Sequence, residues 1–204
     1  MNSPDPVNPL HGLRKSLNCD GGWALALAGA VALLLASELG GNAARLALRY
    51  ERAAIVAGEW WRLVTGHFVH LSLEHALLNA LGLLLIWALF ARDYRPFGWL
   101  AIVAATLAAI DLGLMLRDST IAWYVGSSGA LHGVLAAGTL AHLRRGDFDG
   151  WLLALFLVGK LSYEQYVGAL PLTSGGAVII DAHLYGALGG LAAALPLKPR
   201  LESL

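Results

Sequence analysis

Charge is scarce in this chain. Only 14% of its 204 residues are Asp, Glu, Lys or Arg, against roughly 25% in soluble domains. The 14 basic and 14 acidic side chains cancel, so nothing electrostatic argues for nucleic acid as a partner. With 57% hydrophobic residues and a mean hydropathy of +0.62, there is too little polar surface for a water-soluble globule. Lipid must be part of the solvent. Cysteine is nearly absent. Cys19 stands alone, which excludes an intrachain disulfide and leaves an incidental free thiol. An early apolar run is also missing, because the N-terminal stretch carries Pro4, Asp5, Pro6, Pro9 and Asp20. That is not the pattern of a cleavable signal peptide, so the first apolar span is expected to direct insertion. Glycine is plentiful at 24 residues, as in closely packed membrane helices.

Six apolar stretches stand between charged and turn-forming residues: Trp23–Leu39, Phe68–Phe90, Gly98–Leu116, Ser128–Leu143, Gly150–Gly168 and Ala177–Leu195. They show no β alternation, and lipid offers no partner to backbone polar groups, so helices are expected. The fold class predicted is an all-α polytopic membrane protein with six transmembrane helices. Residues 1–22 would form a cytoplasmic N-terminal segment, 23–196 the helical domain and 197–204 a cytoplasmic tail. Arg14, Lys15, Arg92, Arg95, Arg144, Arg145, Lys198 and Arg200 fall on one side, and Arg117 and Lys160 at or near the other. The positive-inside rule then places both termini in the cytoplasm. The first loop, Gly41 to Gly66, breaks the rule by carrying Arg45, Arg49, Arg52 and Arg62 on the outer side. It is rich in Ala, Leu and Trp, as expected of amphipathic structure lying in the interface.

The polar residues inside these stretches need a reason, since an ionisable group at mid-membrane costs about 3 kcal/mol on insertion scales. The second stretch holds His70, Glu74, His75 and Asn79. The fourth opens Gly126-Ser127-Ser128-Gly129 and continues to His132 and Gly133; the sixth carries Asp181 and His183. With both termini inside, His75, Asn79, Ser128 and His183 fall in one slab below the outer surface. His183 is about six residues into its span, roughly 9 Å at the helical rise. Gly186 and Gly190 share a helix face with His183. Gly129 and Gly133 form a matching pair, and small-x-x-x-small faces let two helices meet backbone to backbone. Ser128 would sit beside that seam, within reach of His183.

A serine hydroxyl becomes a useful nucleophile when an adjacent base takes its proton. Imidazole, with a reference pKa near 6.5, suits that task. A tetrahedral intermediate also needs donors aimed at its oxyanion. His75 and Asn79, one helical turn apart, project from one face and, with the backbone N–H of Ser128, make a candidate oxyanion hole. A plain buried hydrogen-bonding pair between helices is the competing account of both.

These residues carry a family resemblance. Gly58-Glu59-Trp60-Trp61-Arg62-Leu63-Val64-Thr65, followed by His70, His75 and Asn79, resembles the start of the second span in rhomboid intramembrane proteases. Gly126-Ser127-Ser128-Gly129 resembles that family's Gly-x-Ser-Gly motif, and Ala182-His183-Leu184-Tyr185-Gly186 with Gly190 its Ala-His-x-x-Gly-x-x-x-Gly. The resemblance implies a six-span bundle and a Ser–His dyad without a third acid. It makes Ser128 the nucleophile, His183 the base, and His75 and Asn79 the oxyanion donors. His70 takes a structural role, and Ser127 occupies the variable position of the motif. No cofactor or metal is implied. Asp181, two residues before His183 and so about 160° around the helix, is not placed to buttress the imidazole. It is expected to face water or cap the helix.

A narrower resemblance is to the rhombosortases, through Gly-Ser-Ser-Gly-Ala-Leu-His-Gly and Asp-Ala-His-Leu-Tyr-Gly. It implies membrane-anchored protein substrates bearing a C-terminal Gly-Gly motif, a transmembrane helix and a basic tail. It also implies residence in a bacterial inner membrane with the site opening outward, and leaves open whether water or another nucleophile releases the acyl group. Cleavage of other single-span substrates, a non-catalytic helix-binding protein and an intramembrane proton relay are the competing functions.

Four features stay outside this scheme. His132, one turn below Ser128, would bond near the nucleophile, shape a water path or pair with a buried group, in a supporting role. Lys160 and Glu164 form an i, i+4 pair, either a polar feature near a substrate gate or two interfacial residues beyond an early helix end. Asp111 and Glu74 have no assigned role. His67, His70 and His75 are poorly phased for one metal, and no His-Glu-x-x-His pattern accompanies them.

Overall fold

The computed structural model describes residues 15, 17–169 and 178–200. Arg14 and Ala177, and most of the two predicted terminal tails, lie outside the described residues. The chain is mainly helical. Helix α1 (Gly21–Ala36) runs through a 3-10 turn at Ser37–Gly40 into α2 (Gly41–Leu48). The loop after it contains β1 (Tyr50–Glu51), α3 (Arg52–Val56) and α4 (Arg62–Thr65). Then come α5 (Leu73–Phe90), α6 (Pro96–Leu116), β2 (Trp123–Tyr124), α7 (Ser128–Arg145), α8 (Phe148–Tyr166) and α9 (Asp181–Ala194).

Among the described residues, three helices are long and apolar enough to cross a membrane: Gly21–Leu48, α5 and α6. Their outward faces carry exposed large apolar side chains such as Leu25, Leu33, Leu81, Leu85, Leu100 and Leu112. A soluble monomer rarely exposes so much contiguous apolar surface. Helices α7, α8 and α9 carry more polar and small residues, and several of their polar groups face inward. His132, Thr139, His142, Glu164 and His183 are all buried.

Local chemistry sets several boundaries differently from the hydropathy pattern. The second stretch begins its helix at Leu73 rather than Phe68, because the Ser72 side chain caps it by accepting from the His75 N–H at 3.2 Å. Glu74, exposed in the first turn, suits the positive end of that helix dipole. His70 therefore lies in a loop, not in the span. The last helix begins at Asp181, so His183 is in its first turn rather than about six residues deep. Gly146, with φ of 83°, closes α7 in the left-handed conformation that glycine tolerates best.

The first-loop arginines that break the positive-inside pattern are internal fasteners. Arg52 donates to the carbonyls of Met115 (2.9 Å), Asp118 (2.8 Å), Ile121 (3.2 Å) and Leu114, satisfying the C-terminal end of α6. Buried Arg62 donates to Leu46 and Arg49 carbonyls at 3.0 and 2.9 Å. At the opposite end Arg144 does the same for α9, reaching the Leu195 and Leu197 carbonyls at 2.7 and 2.8 Å.

The centre of the bundle is α9, packed against α7 and α6. Its contact with α7 is backbone on backbone. A Cβ added at Gly129 would lie 2.8 Å from the Ala182 carbonyl oxygen, and one at Gly133 2.7 Å from that of Gly186. Reciprocally, Gly186 faces the Gly129 carbonyl and Gly190 that of Gly133. Gly189 turns the other way, onto Ala105 and Ala109 of α6. Gly186→Ala would force α9 off α7 and is expected to cost about 1–3 kcal/mol, read as a lower unfolding temperature in detergent. Gly159→Ala, where nothing lies within 4 Å, should be neutral or stabilising by up to about 1 kcal/mol through helix propensity.

Candidate active site

The glycine seam places the start of α7 beside the start of α9. Ser128 is the first residue of α7 and follows Gly126, whose φ of 122° is a conformation that L side chains rarely adopt. The approach to this turn is held on both sides. Tyr50 and Glu51 pair antiparallel with Tyr124 and Trp123, and the Gly126 N–H donates to the Gly66 carbonyl at 3.1 Å. The Tyr124 hydroxyl donates to the Gly126 carbonyl at 2.5 Å. Burial, the largest influence on Tyr124, raises its pKa above the usual tyrosine value and keeps it a donor.

His183 Nε2 lies 2.9 Å from Ser128 Oγ. Its other ring nitrogen, Nδ1, lies 2.9 Å from Oε2 of Glu164, which is 1% exposed. Lys160 Nζ holds the second carboxylate oxygen at 2.5 Å. An acid thus stands beside the serine–histidine pair, and it is Glu164, not Asp181. Asp181 accepts from Gln165 at 3.2 Å, turned away from the imidazole. Nor do Lys160 and Glu164 sit beyond an early helix end, since both belong to α8 and Glu164 is buried.

His132 lies parallel to His183, with ring centroids 4.2 Å apart and an interplanar angle of 15°. Its Nδ1 donates to the Ser128 carbonyl at 2.7 Å. Donor atoms of His132, Glu164 and His183 fall within 4.8 Å of one another. Stacked rings, however, aim their lone pairs side by side rather than at one point, and Lys160 already occupies the carboxylate. The cluster suits a hydrogen-bond chain better than a metal ion.

His75 and Ser128 line the same cavity, of about 270 Å³, together with Leu71, Tyr124, Val125 and Ile179. The Leu71 N–H donates to His75 Nδ1 at 3.5 Å, so a neutral ring carries its proton on Nε2. That nitrogen approaches Gly126 beside Ser128 Oγ. Asn79 is buried one turn along, and its Nδ2 donates back to the His75 carbonyl at 3.0 Å. The structure therefore brings Ser128 and His75 onto one cavity, with His183 in contact with Ser128, and leaves Asn79 bonded back to His75. His70 Nε2 pairs with buried Ser127 Oγ at 3.1 Å. His67 pairs with Asp111 at 3.3 Å, so His67, His70 and His75 do not converge on one point.

Two side chains matter more here than the sequence suggested. Glu164 was visible as an acid with a lysine one turn before it, but its partner is on another helix. His132 was visible at one turn from Ser128, yet its stacking on His183 follows only from the seam. His132→Ala removes both the stack and the hydrogen bond and should lower stability by about 2–4 kcal/mol. His132→Phe keeps the stack, loses the bond to a partly buried carbonyl and should cost about 1 kcal/mol. Thermal unfolding of the purified variants in detergent separates the two.

Taken together, these features define an integral membrane helix bundle with a serine and a histidine in contact, the serine lining a cavity. The Rhomboid domain model matches residues 57–200, and the chain belongs to the rhomboid family. It is 24% identical over 136 residues to "Putative rhomboid protease YdcA" of Bacillus subtilis (strain 168), covering 67% of this chain and 66% of that protein. A shorter match, 46% identical over 43 residues, is to "RHOMBOID-like protein 9, chloroplastic" of Arabidopsis thaliana, covering 21% of this chain and 10% of that protein. The chain thus spans just under two thirds of the bacterial relative's length and a small part of the plant one's.

Proposed function

We propose that this protein is an intramembrane serine endopeptidase that cleaves membrane-anchored proteins, with Ser128 as nucleophile and His183 as general base. The observation that carries the reading is the 2.9 Å contact of His183 Nε2 with Ser128 Oγ at a cavity a peptide could enter. In this reading all six long helices cross the bilayer, both termini are cytoplasmic and the cavity opens outward. Lipid is the surrounding solvent, and no metal or cofactor takes part.

A substrate helix unwinds beside the cavity and presents a carbonyl to Ser128. The Oγ–C bond forms as the Oγ proton passes to His183 Nε2. His75 Nε2–H and the Ser128 N–H then donate to the oxyanion, with Asn79 as a weaker third donor through its remaining amide hydrogen. His183 returns the proton to the leaving nitrogen as the C–N bond breaks, and water releases the acyl group. Within the rhomboid family, the strings Gly126–Gly133 and Asp181–Gly186 support the rhombosortase reading. Its substrates would carry a C-terminal Gly-Gly motif before a transmembrane helix and basic tail, glycine easing unwinding by about 1 kcal/mol per residue.

Co-expression with such a Gly-Gly-tailed reporter, followed by immunoblotting, tests this. Processing should fall at least about 10³-fold in Ser128→Ala and His183→Ala, and undiminished processing in both would sink the protease reading. Equal processing of a single-span reporter lacking Gly-Gly would instead indicate a general rhomboid protease, and capture without cleavage a helix-binding protein. Among the oxyanion donors, His75→Ala should lower kcat by about 10²–10³-fold. Asn79→Ala should lower it by only about tenfold, since one of its amide hydrogens is already engaged.

A further inference from the structure

We propose that Glu164 is the positioning residue of the nucleophilic site, turning Ser128 and His183 into a Ser–His–Glu relay with Lys160 as its counter-charge. The inference rests on the serine-protease reading above and names a residue that reading does not require. A carboxylate only accepts hydrogen bonds, so the 2.9 Å contact with Glu164 Oε2 puts a proton on His183 Nδ1. The lone pair of the neutral ring is then on Nε2, 2.9 Å from Ser128 Oγ. Without the carboxylate the ring is free to carry its proton on Nε2, the tautomer that cannot take one from serine.

The same carboxylate stabilises the cation that forms next. When the Ser128 proton moves to Nε2 as the Oγ–C bond forms, the imidazolium charge appears in a site where His183 is 3% and Glu164 1% exposed. An adjacent anion in so dry a place offsets that charge far more than it would in water. When the proton passes on to the leaving nitrogen and the C–N bond breaks, the ring returns to neutral and Glu164 is unchanged.

A lone carboxylate would be costly inside a membrane. Lys160, one turn earlier on α8, answers its charge at Oε1, 2.5 Å away, and leaves Oε2 to the histidine. Leu157 packs against Ala136 of α7 and Ala187 of α9, with Leu161 beside them. Leu157, Leu161 and Glu164 share one face of α8, so the packing that docks α8 also delivers the carboxylate. Among the described residues, the polar groups set around His183 are Ser128 and His132 from α7, Glu164 and Lys160 from α8, and His75 from α5.

The test uses the full chain in detergent. Ser128 labelling by a fluorophosphonate probe and turnover of a single-span substrate are compared in wild type, Glu164→Gln and the double variant Glu164→Gln/Lys160→Met. The double variant avoids leaving an unpaired ammonium. Both should label and turn over about 10²–10⁴-fold more slowly per folded molecule, with KM nearly unchanged. A purely structural ion pair would reduce the folded fraction but leave kcat per folded molecule in place, and that result in either variant overturns the proposal. A wild-type protein that is never labelled, or Ser128→Ala that keeps full activity, would instead refute the protease reading itself.

Discussion

The contact of α7 with α9 through glycine is the constraint on which the rest of the structure depends. Gly129 and Gly133 on one helix meet Gly186 and Gly190 on the other with carbonyls where side chains would otherwise stand. In lipid there is no hydrophobic drive to bring two apolar helices together, so close van der Waals packing must supply it. That packing also has no slack. With the backbones this close, Ser128 at the head of α7 and His183 in the first turn of α9 have little freedom to separate. A seam built from larger side chains would hold the axes farther apart and lose the 2.9 Å contact.

Around the seam, polar groups follow a single order. Ser128 meets His183, His183 meets Glu164, and Glu164 meets Lys160, while His132 closes one face of the His183 ring. Each member satisfies the next, as buried polar groups must. Helices α7, α8 and α9 are consequently too polar or too short to pass for membrane spans by length and composition. Much of their polar content faces inward, and α1, α5 and α6 present much of the apolar surface that faces outward.

The loop between α2 and α5 shows the same economy with charge. Arg52, Arg62 and Arg45 close backbone carbonyls of neighbouring segments, Arg45 reaching that of His70 at 2.6 Å. Ser37 holds the adjacent Phe68 carbonyl at 3.0 Å. The segment from His67 to Ser72 is thereby fixed as a loop, which delivers His70 to Ser127 and lets α5 start at a capped end beside His75.

By itself the sequence determined which groups are available and how each helix can be approached. Hydropathy placed the apolar stretches, and the spacing of Gly129, Gly133, Gly186 and Gly190 marked the faces that meet, because helical periodicity is local and can be counted along the chain. Ser128 and His183 were legible for the same reason. What only the tertiary structure decided is which acid serves the histidine. Asp181 is two residues from His183 and points elsewhere, whereas Glu164 is nineteen residues away and touches it. The rotation of α8 about its axis depends on Leu157 packing against two other helices at once, and no local rule contains that sum. The turning of Asn79 back onto the His75 carbonyl and the stacking of His132 on His183 were hidden in the same way. Contacts between helices are fixed by how all of them pack together, and a single stretch of sequence records only its own side of each.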